Sequence, residues 1–395
     1  MVSLCVIFVF SMIDYWILRM LLSDKIGRKI VLVPFLVVLL FSITDFGLYL
    51  NRYIFTAVFL FFLSLFFLSL HNNQRVSLAI IFYALVIVFL FLLNHFFSSH
   101  YNGLLMIPIV SFIVFYSLRS RCLNLKKLLD FSIKSFLIFI LLVSIFEIFV
   151  KLTGSDLFNY SAFIKDYGDR RFDVLRVRAL FGSSLSTAAL SIFFIIYFLL
   201  FSRSNTFILL SLSIILLSGS RTAIVVLLFM LICLFLKSVC QGYLSKSSIL
   251  MVGIAFLSIV MIVVFTPIGN IALRSLSISM DDSFTGRSST TILTLLDLLD
   301  QIPYSLFIGL QTSWISDSAI TSIMASSGIL SFTLFIALWI YLLLNTQLSL
   351  YFKVVTLFAF ILGATMIGDF FVPVVSFLYF LTFLIYGRIK VADYE

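Results

Sequence analysis

Apolar residues occur along this chain in long runs that are separated by polar connections. A run of about 20 apolar residues is long enough for one helical crossing of a bilayer. The runs therefore predict an all-α fold with about 12 to 13 membrane-spanning helices. They lie near residues 2–22, 30–50, 54–70, 76–94, 103–118, 131–150, 183–201, 206–219, 221–236, 248–266, 319–344, 354–369 and 374–387.

Two polar stretches are much longer than the other connections. Residues 151–182 bring six Lys or Arg and four Asp into one loop. The second loop, residues 267–318, contains a segment at 288–301 in which Ile292, Leu295, Leu296 and Leu299 fall on one helical face. This pattern predicts an amphipathic helix lying on the membrane surface. We find no whole-chain repeat and no soluble domain, so we expect a single membrane domain over residues 1–395.

The composition supports an integral membrane protein. Hydrophobic residues make up 63% of the chain and charged residues 11%, whereas soluble domains are roughly half apolar and about a quarter charged. The mean hydropathy is +1.23. Because the apolar runs are unbroken rather than alternating, they exclude the strands of a membrane barrel. A polytopic bundle of helices remains.

The basic residues predict an orientation. Fourteen Lys or Arg lie in short connections on one side, against Arg52 and Arg221 in the short connections opposite. By the positive-inside rule the first side is cytoplasmic, and both long loops face outward, which in a bacterium means the periplasm. The predicted location is the bacterial inner membrane. Orientation accounts for most of the net charge of +9, so no nucleic-acid partner is predicted. The fourteen are Lys25, Arg28, Lys29, Arg75, Arg119, Arg121, Lys126, Lys127, Arg203, Lys237, Lys246, Lys353, Arg388 and Lys390.

The first loop ends in a group that could hold a phosphorylated ligand. Arg171, Arg176 and Arg178 precede Gly182, and Ser183 then leads into a span. Guanidinium groups pair bidentately with phosphate oxygens, and a helix N-terminus offers free N–H groups to an anion. The ordinary alternative is that these arginines contact lipid headgroups.

Three further residues are candidates for the same site, and two of them have two interpretations. Arg221 stands in a short connection, where it either anchors a helix end or is drawn toward the membrane by the short span before it. Arg287 heads the amphipathic helix and adds a third basic element. Asp317 precedes a span. Either the helix dipole favours an acidic residue at this position, or Asp317 serves as a hydrogen-bond acceptor or general base.

The acidic residues and histidines give little sign of a metal site. Glu147 and Asp369 lie near the outer ends of spans, where each could pair with a loop arginine. His95 and His100 share a connection that has no nearby acidic or cysteine ligand. Neither long loop contains an Asp-x-Asp pair. We therefore expect no metal and no other cofactor, and expect arginines to neutralise a diphosphate leaving group.

Several short motifs resemble the bacterial O-antigen polymerase and ligase superfamily of glycosyltransferases. The segment at 178–190, RALFGSSLSTAAL, is similar to the family's Arg-then-Gly entry into a span, and Arg171 to Gly182 has the Arg-x10-Gly spacing of polymerase loops. SGSRTAIVVLLF around Arg221, and Thr-Gly-Arg ending at Arg287, are similar to further motifs in the same order.

The motif at the end of the second loop resembles a polymerase more than a ligase. Asp317 stands where the ligase pattern has His, and Ser318 stands where it has Asn. Arg274 to Gly286 is one residue longer than the Arg-x10-Gly spacing. We still place Arg274 with the substrate-binding residues.

The resemblance implies transfer of a growing glycan from undecaprenyl diphosphate to the non-reducing end of another lipid-linked repeat unit on the periplasmic face, without a metal. Undecaprenyl-diphosphate-linked repeat units and membrane lipid are the implied partners, with a chain-length regulator and a flippase. The alternatives are a ligase that transfers O-antigen to lipid A core, and a polysaccharide flippase or transporter. The implied roles are diphosphate binding for Arg178, Arg221 and Arg287, loop contacts to sugar or phosphate for Arg171 and Arg176, and acceptor-hydroxyl contact for Asp317.

Overall fold

The computed structural model describes residues 78–97, 103–119, 125–153, 177, 179, 184–240, 319–367, 370–371 and 373–387. This part is about 90% helical and contains no strand, so the all-α prediction is confirmed for it. The predicted spans at 2–22, 30–50, 54–70 and 248–266 and the predicted helix at 288–301 lie outside the described residues. The number of membrane spans stays a prediction.

Ten α-helices make up most of the described part. They are α1 (Leu78–Phe97), α2 (Ile107–Arg119), α3 (Leu125–Thr153), α4 (Ser184–Tyr197), α5 (Asn205–Ser218), α6 (Arg221–Cys240), α7 (Ala319–Ser327), α8 (Ile329–Leu344), α9 (Leu350–Met366) and α10 (Pro373–Ile385). A short 3₁₀ turn, Gly103–Met106, precedes α2, and a π-helical turn, Phe198–Ser202, continues α4.

Two of these helical stretches, Leu125–Phe149 and Ser184–Ser202, are long and apolar enough to cross a membrane. They differ in how deeply their side chains are buried. Every residue of α4 except Leu185 is buried, as expected for a helix that is apolar on all sides. In contrast, α3 exposes Leu142 and Phe149. A bilayer would cover such side chains, whereas water would leave them unfavourably exposed.

The predicted span at 319–344 is two helices rather than one. Gly328 separates α7 from α8 with φ 83° and ψ 157°, a backbone conformation that residues with a Cβ rarely adopt. The Gly328 N–H still bonds the Met324 carbonyl at 2.9 Å, and the Gly328 carbonyl accepts the Phe332 N–H at 3.2 Å. The chain therefore bends without losing these backbone partners.

Aromatic side chains join α4, α8, α9 and α10. The Trp339 and Phe360 rings stack with centroids 3.6 Å apart, and the Phe193 and Tyr379 rings meet edge to face at 4.9 Å. All four side chains are buried. Such aromatic pairs add about 0.5–1.5 kcal/mol each beyond the area that they bury, so they fix the relative positions of these four helices.

One close approach in this core gives a stability prediction. A Cβ on Gly363 would overlap the Phe370 ring, whose Cδ2 atom would lie 2.7 Å away, and Phe370 is fully buried. Overpacking costs about 1–3 kcal/mol, whereas Ala gains about 1 kcal/mol over Gly in a helix. We therefore expect Gly363→Ala to lower the thermal unfolding midpoint in detergent. In the Phe370→Leu background, Gly363→Ala should lower the unfolding midpoint by less. An equal decrease in both backgrounds would show that overlap with the Phe370 ring is not the cause.

Candidate functional site

The helix α3 defines two ends of the bundle. Lys126 and Glu147 lie 21 positions apart on it, which is about 31 Å at about 1.5 Å per residue. This distance is close to the ~30 Å hydrocarbon core of a bilayer. We call the two ends the Lys126 end and the Glu147 end.

At the Glu147 end, a buried carboxylate holds the last part of the first polar loop. Glu147 is 5% exposed, and its Oε2 atom accepts a hydrogen bond from the Ala179 N–H at 2.9 Å. A hydrogen bond to a charged acceptor is about twice as strong as one between neutral groups. This bond therefore ties a residue of the loop firmly to α3.

A second hydrogen bond ties the same segment to α5. The Val177 N–H donates to the Leu217 carbonyl at 3.1 Å. Val177 and Ala179 are both fully buried. The two residues that flank Arg178 in the sequence are thus fixed against two different helices.

The backbone of Ala179 is held in an unfavourable conformation. Its φ of 45° lies in the left-handed region, which costs an L-residue about 1–2 kcal/mol. Such strain persists only where the surroundings impose it. Here the hydrogen bond to Glu147 and the burial of the Ala179 methyl group impose it.

Leu217 lies within the tight turn that leads to Arg221. Gly219 takes a left-handed conformation with φ 61° and donates its N–H to the Leu216 carbonyl at 3.1 Å, as is usual at a helix C-terminus. The Ser220 hydroxyl then accepts the Ala223 N–H at 3.4 Å and caps the start of α6. Arg221 is therefore the first residue of a capped helix.

These contacts bring two of the predicted motifs together. Val177, which precedes Arg178, donates its N–H to the carbonyl of Leu217, and Leu217 is four positions before Arg221. The side chain of Arg221 lies outside the described residues. So do the other predicted site residues, which are Arg171, Arg176, Arg178, Gly182, Ser183, Arg274, Arg287 and Asp317. Their roles stay predictions.

The sequence singles out Glu147 as an acidic residue near the end of a span that could pair with a loop arginine. The structure shows that its carboxylate accepts a backbone N–H of the loop. The arginine pairing stays a prediction. An acidic residue in an apolar helix was the signal for Glu147. The Leu217 carbonyl is one of the last four of α5, which have no partner within their own helix, but no side-chain pattern indicates which residue will bond it.

In the part of the chain that the structure describes, no group of three or more His, Cys, Asp or Glu side chains could hold a metal ion. The arrangement at the Glu147 end instead offers fixed backbone next to two arginine positions. No protein family, no curated protein and no solved structure matches this chain.

Proposed function

We propose that the protein is an O-antigen polymerase of the bacterial inner membrane, with the Glu147 end facing the periplasm. It transfers a growing glycan from undecaprenyl diphosphate to the non-reducing end of a second lipid-linked repeat unit. The motifs of the sequence carry the chemistry of this proposal. The anchoring of Val177 and Ala179 beside the Arg221 turn is the structural observation that supports it.

This anchoring matters because arginines bind a diphosphate more tightly when the backbone that carries them is already fixed. Arginines on a free loop lose side-chain and backbone freedom when they bind, and that loss weakens binding. Val177 and Ala179 are fixed by hydrogen bonds of 3.1 and 2.9 Å to α5 and α3. The backbone on both sides of Arg178 is therefore ordered before any substrate arrives.

The proposed reaction breaks a glycosyl phosphate bond and forms a glycosidic bond. The bond between the anomeric carbon of the donor glycan and the diphosphate oxygen breaks, and the electron pair leaves with the diphosphate. The acceptor hydroxyl oxygen forms the new bond to that carbon and gives its proton to Asp317. Arg178, Arg221 and Arg287 neutralise the developing negative charge, which is the largest contribution that a protein makes to such a reaction.

A flippase or transporter is the second candidate, and the break at Gly328 is the observation that favours it. Transporters bind their substrates at interrupted helices and carry charges near the middle of the membrane. Among the described residues, however, the acidic side chains are Asp130 and Glu147. These lie toward opposite ends of α3. The polymerase therefore remains the better-supported proposal.

A reconstituted reaction separates the candidates. Purified protein in liposomes would be given undecaprenyl-diphosphate-linked single repeat units, with and without lipid A core. We expect longer lipid-linked products in the absence of core. Transfer of glycan only to lipid A core would identify a ligase. If the single repeat units remain unchanged, the transporter is the remaining candidate.

A further inference from the structure

A cavity of about 680 Å³ opens at the Lys126 end, far from the proposed active site. This volume is typical of pockets that hold small molecules, which are about 300–1,000 Å³. Five separate segments of the chain contribute to its lining. We call it the basic cavity, and its lining consists of Lys126, Leu199, Leu200, Phe201, Arg203, Lys237, Gln347, Leu348, Ser349, Phe352 and Tyr386.

Among the residues that the structure describes, three cationic side chains and no acidic side chain line the basic cavity. Lys126 comes from the first turn of α3, Arg203 from the connection after the π-helical turn, and Lys237 from the last turn of α6. The nearest acid along α3, Asp130, pairs with Lys134 at 2.5 Å. Among the described lining residues, no carboxylate offsets the positive charge of the cavity.

Aromatic rings hold two of the cations in place without neutralising them. The Lys126 Nζ atom lies 5.2 Å from the centre of the Tyr386 ring, and the Lys237 Nζ atom lies 3.6 Å from the centre of the Phe352 ring. Cation–π contacts position an ammonium group and leave it charged.

Two of the cations occupy positions where a cation is costly or unusual. Lys126 lies in the first turn of a helix, where the helix dipole disfavours positive charge. Arg203 takes a left-handed backbone with φ 53°, at a place where helices normally use Gly or Asn. The positive-inside rule accounts for cations at this end of the bundle, but it leaves the dipole cost at Lys126 in place. An anion in the cavity would offset that cost.

Hydrogen bonds between segments hold the wall of the basic cavity in place without a ligand. The Gln347 N–H donates to the Tyr386 carbonyl at 3.2 Å, which joins the connection between α8 and α9 to the end of α10. The Tyr351 hydroxyl donates to the Cys233 carbonyl and joins α9 to α6. The cavity also uses the π-helical turn, a local irregularity that often accompanies functional sites.

We propose that the basic cavity binds a phosphate group, which the headgroup of an anionic phospholipid supplies. Guanidinium and ammonium groups are the side chains that recognise phosphate. The lining also contains Leu199, Leu200 and Leu348, which suit the apolar neighbourhood of a lipid phosphate better than a free ion. Basic pockets between membrane helices recognise anionic headgroups in this way.

The test compares lipid retention by purified protein in nanodiscs that contain phosphatidylglycerol and phosphatidylcholine, read by native mass spectrometry. The double variant Lys126→Gln/Lys237→Gln removes two cations from the cavity. Each Lys or Arg near a charged lipid surface contributes about a fivefold change in binding, so retained phosphatidylglycerol should fall more than about tenfold. The matched control is Lys127→Gln/Lys353→Gln, which removes two lysines that do not line the cavity and should retain the lipid.

Inorganic phosphate distinguishes the two sources of the anion. If phosphate displaces the retained lipid from the unmodified protein, the site takes free phosphate as well as a headgroup. If the unmodified protein retains no more phosphatidylglycerol than phosphatidylcholine and binds no phosphate, the proposal is wrong. Equal retention by the cavity variant and the control variant would overturn it too. These outcomes hold whether or not the protein polymerises glycan, because no step of the assay depends on that reaction.

Discussion

Replacing Arg178 or Arg221 by alanine should abolish polymer while leaving lipid-linked single repeats. Removal of one group that stabilises charge in a transition state costs about 10²–10³ in rate, and a polymer needs many successive transfers. Each variant would be expressed in a strain that lacks its own polymerase, and the glycan would be read as a ladder on a gel. Reconstituted protein would provide the rate of a single transfer.

The control for these variants is Arg119→Ala. Arg119 lies in the last turn of α2, where its guanidinium lies 6.0 Å from the Phe115 ring centre. It undergoes the same chemical change away from the proposed site. Arg178→Lys and Arg221→Lys keep the charge but lose the bidentate geometry, so both should be intermediate. A normal ladder from both alanine variants would remove the proposed mechanism.

The second large effect is expected at Glu147, which we infer positions the loop without touching the substrate. Glu147→Ala leaves the buried Ala179 N–H without its acceptor, and a lost hydrogen bond to a charged group costs about 1.5–3 kcal/mol. The strained backbone of Ala179 then loses one of its supports. We expect transfer to fall at least about tenfold, which corresponds to about 1.4 kcal/mol, mainly through weaker donor binding.

Glu147→Gln separates the positioning role from a requirement for charge. The glutamine side chain still offers an oxygen to Ala179, so this variant should retain much more transfer than Glu147→Ala. Ser144→Ala is the matched control, because Ser144 is buried one turn earlier and its hydroxyl bonds the Ile140 carbonyl of its own helix at 2.7 Å. Equal losses in Glu147→Gln and Glu147→Ala would contradict the positioning role.

The positions of most described helices could be predicted from the sequence. The predicted runs at 183–201 and 206–219 correspond closely to Ser184–Ser202 and Asn205–Ser218. Lipid and protein core both demand apolar side chains, and the backbone in either must bond within its own helix. Helix α3 is longer than its predicted run of 131–150, because its polar first turn and its last residues lie beyond the apolar stretch.

The break at Gly328 could not be predicted from local pattern. A glycine within an apolar run is compatible with a continuous helix, and small residues beside it also favour close helix packing. The positive φ at this position depends on how α7 and α8 pack against the rest of the bundle. The sequence therefore allowed a bend here without requiring one.

The sequence by itself determined an all-α chain of apolar helices, the order of its polar loops and the residue types available for phosphate chemistry. Only the tertiary structure decided that Glu147 and Leu217 hold the residues flanking Arg178, and that Lys126, Arg203 and Lys237 share one cavity. Apolar periodicity is a local property that each segment carries alone. In contrast, a backbone N–H bonded to a distant carboxylate, or three cations gathered from distant segments, exists only after the helices have packed.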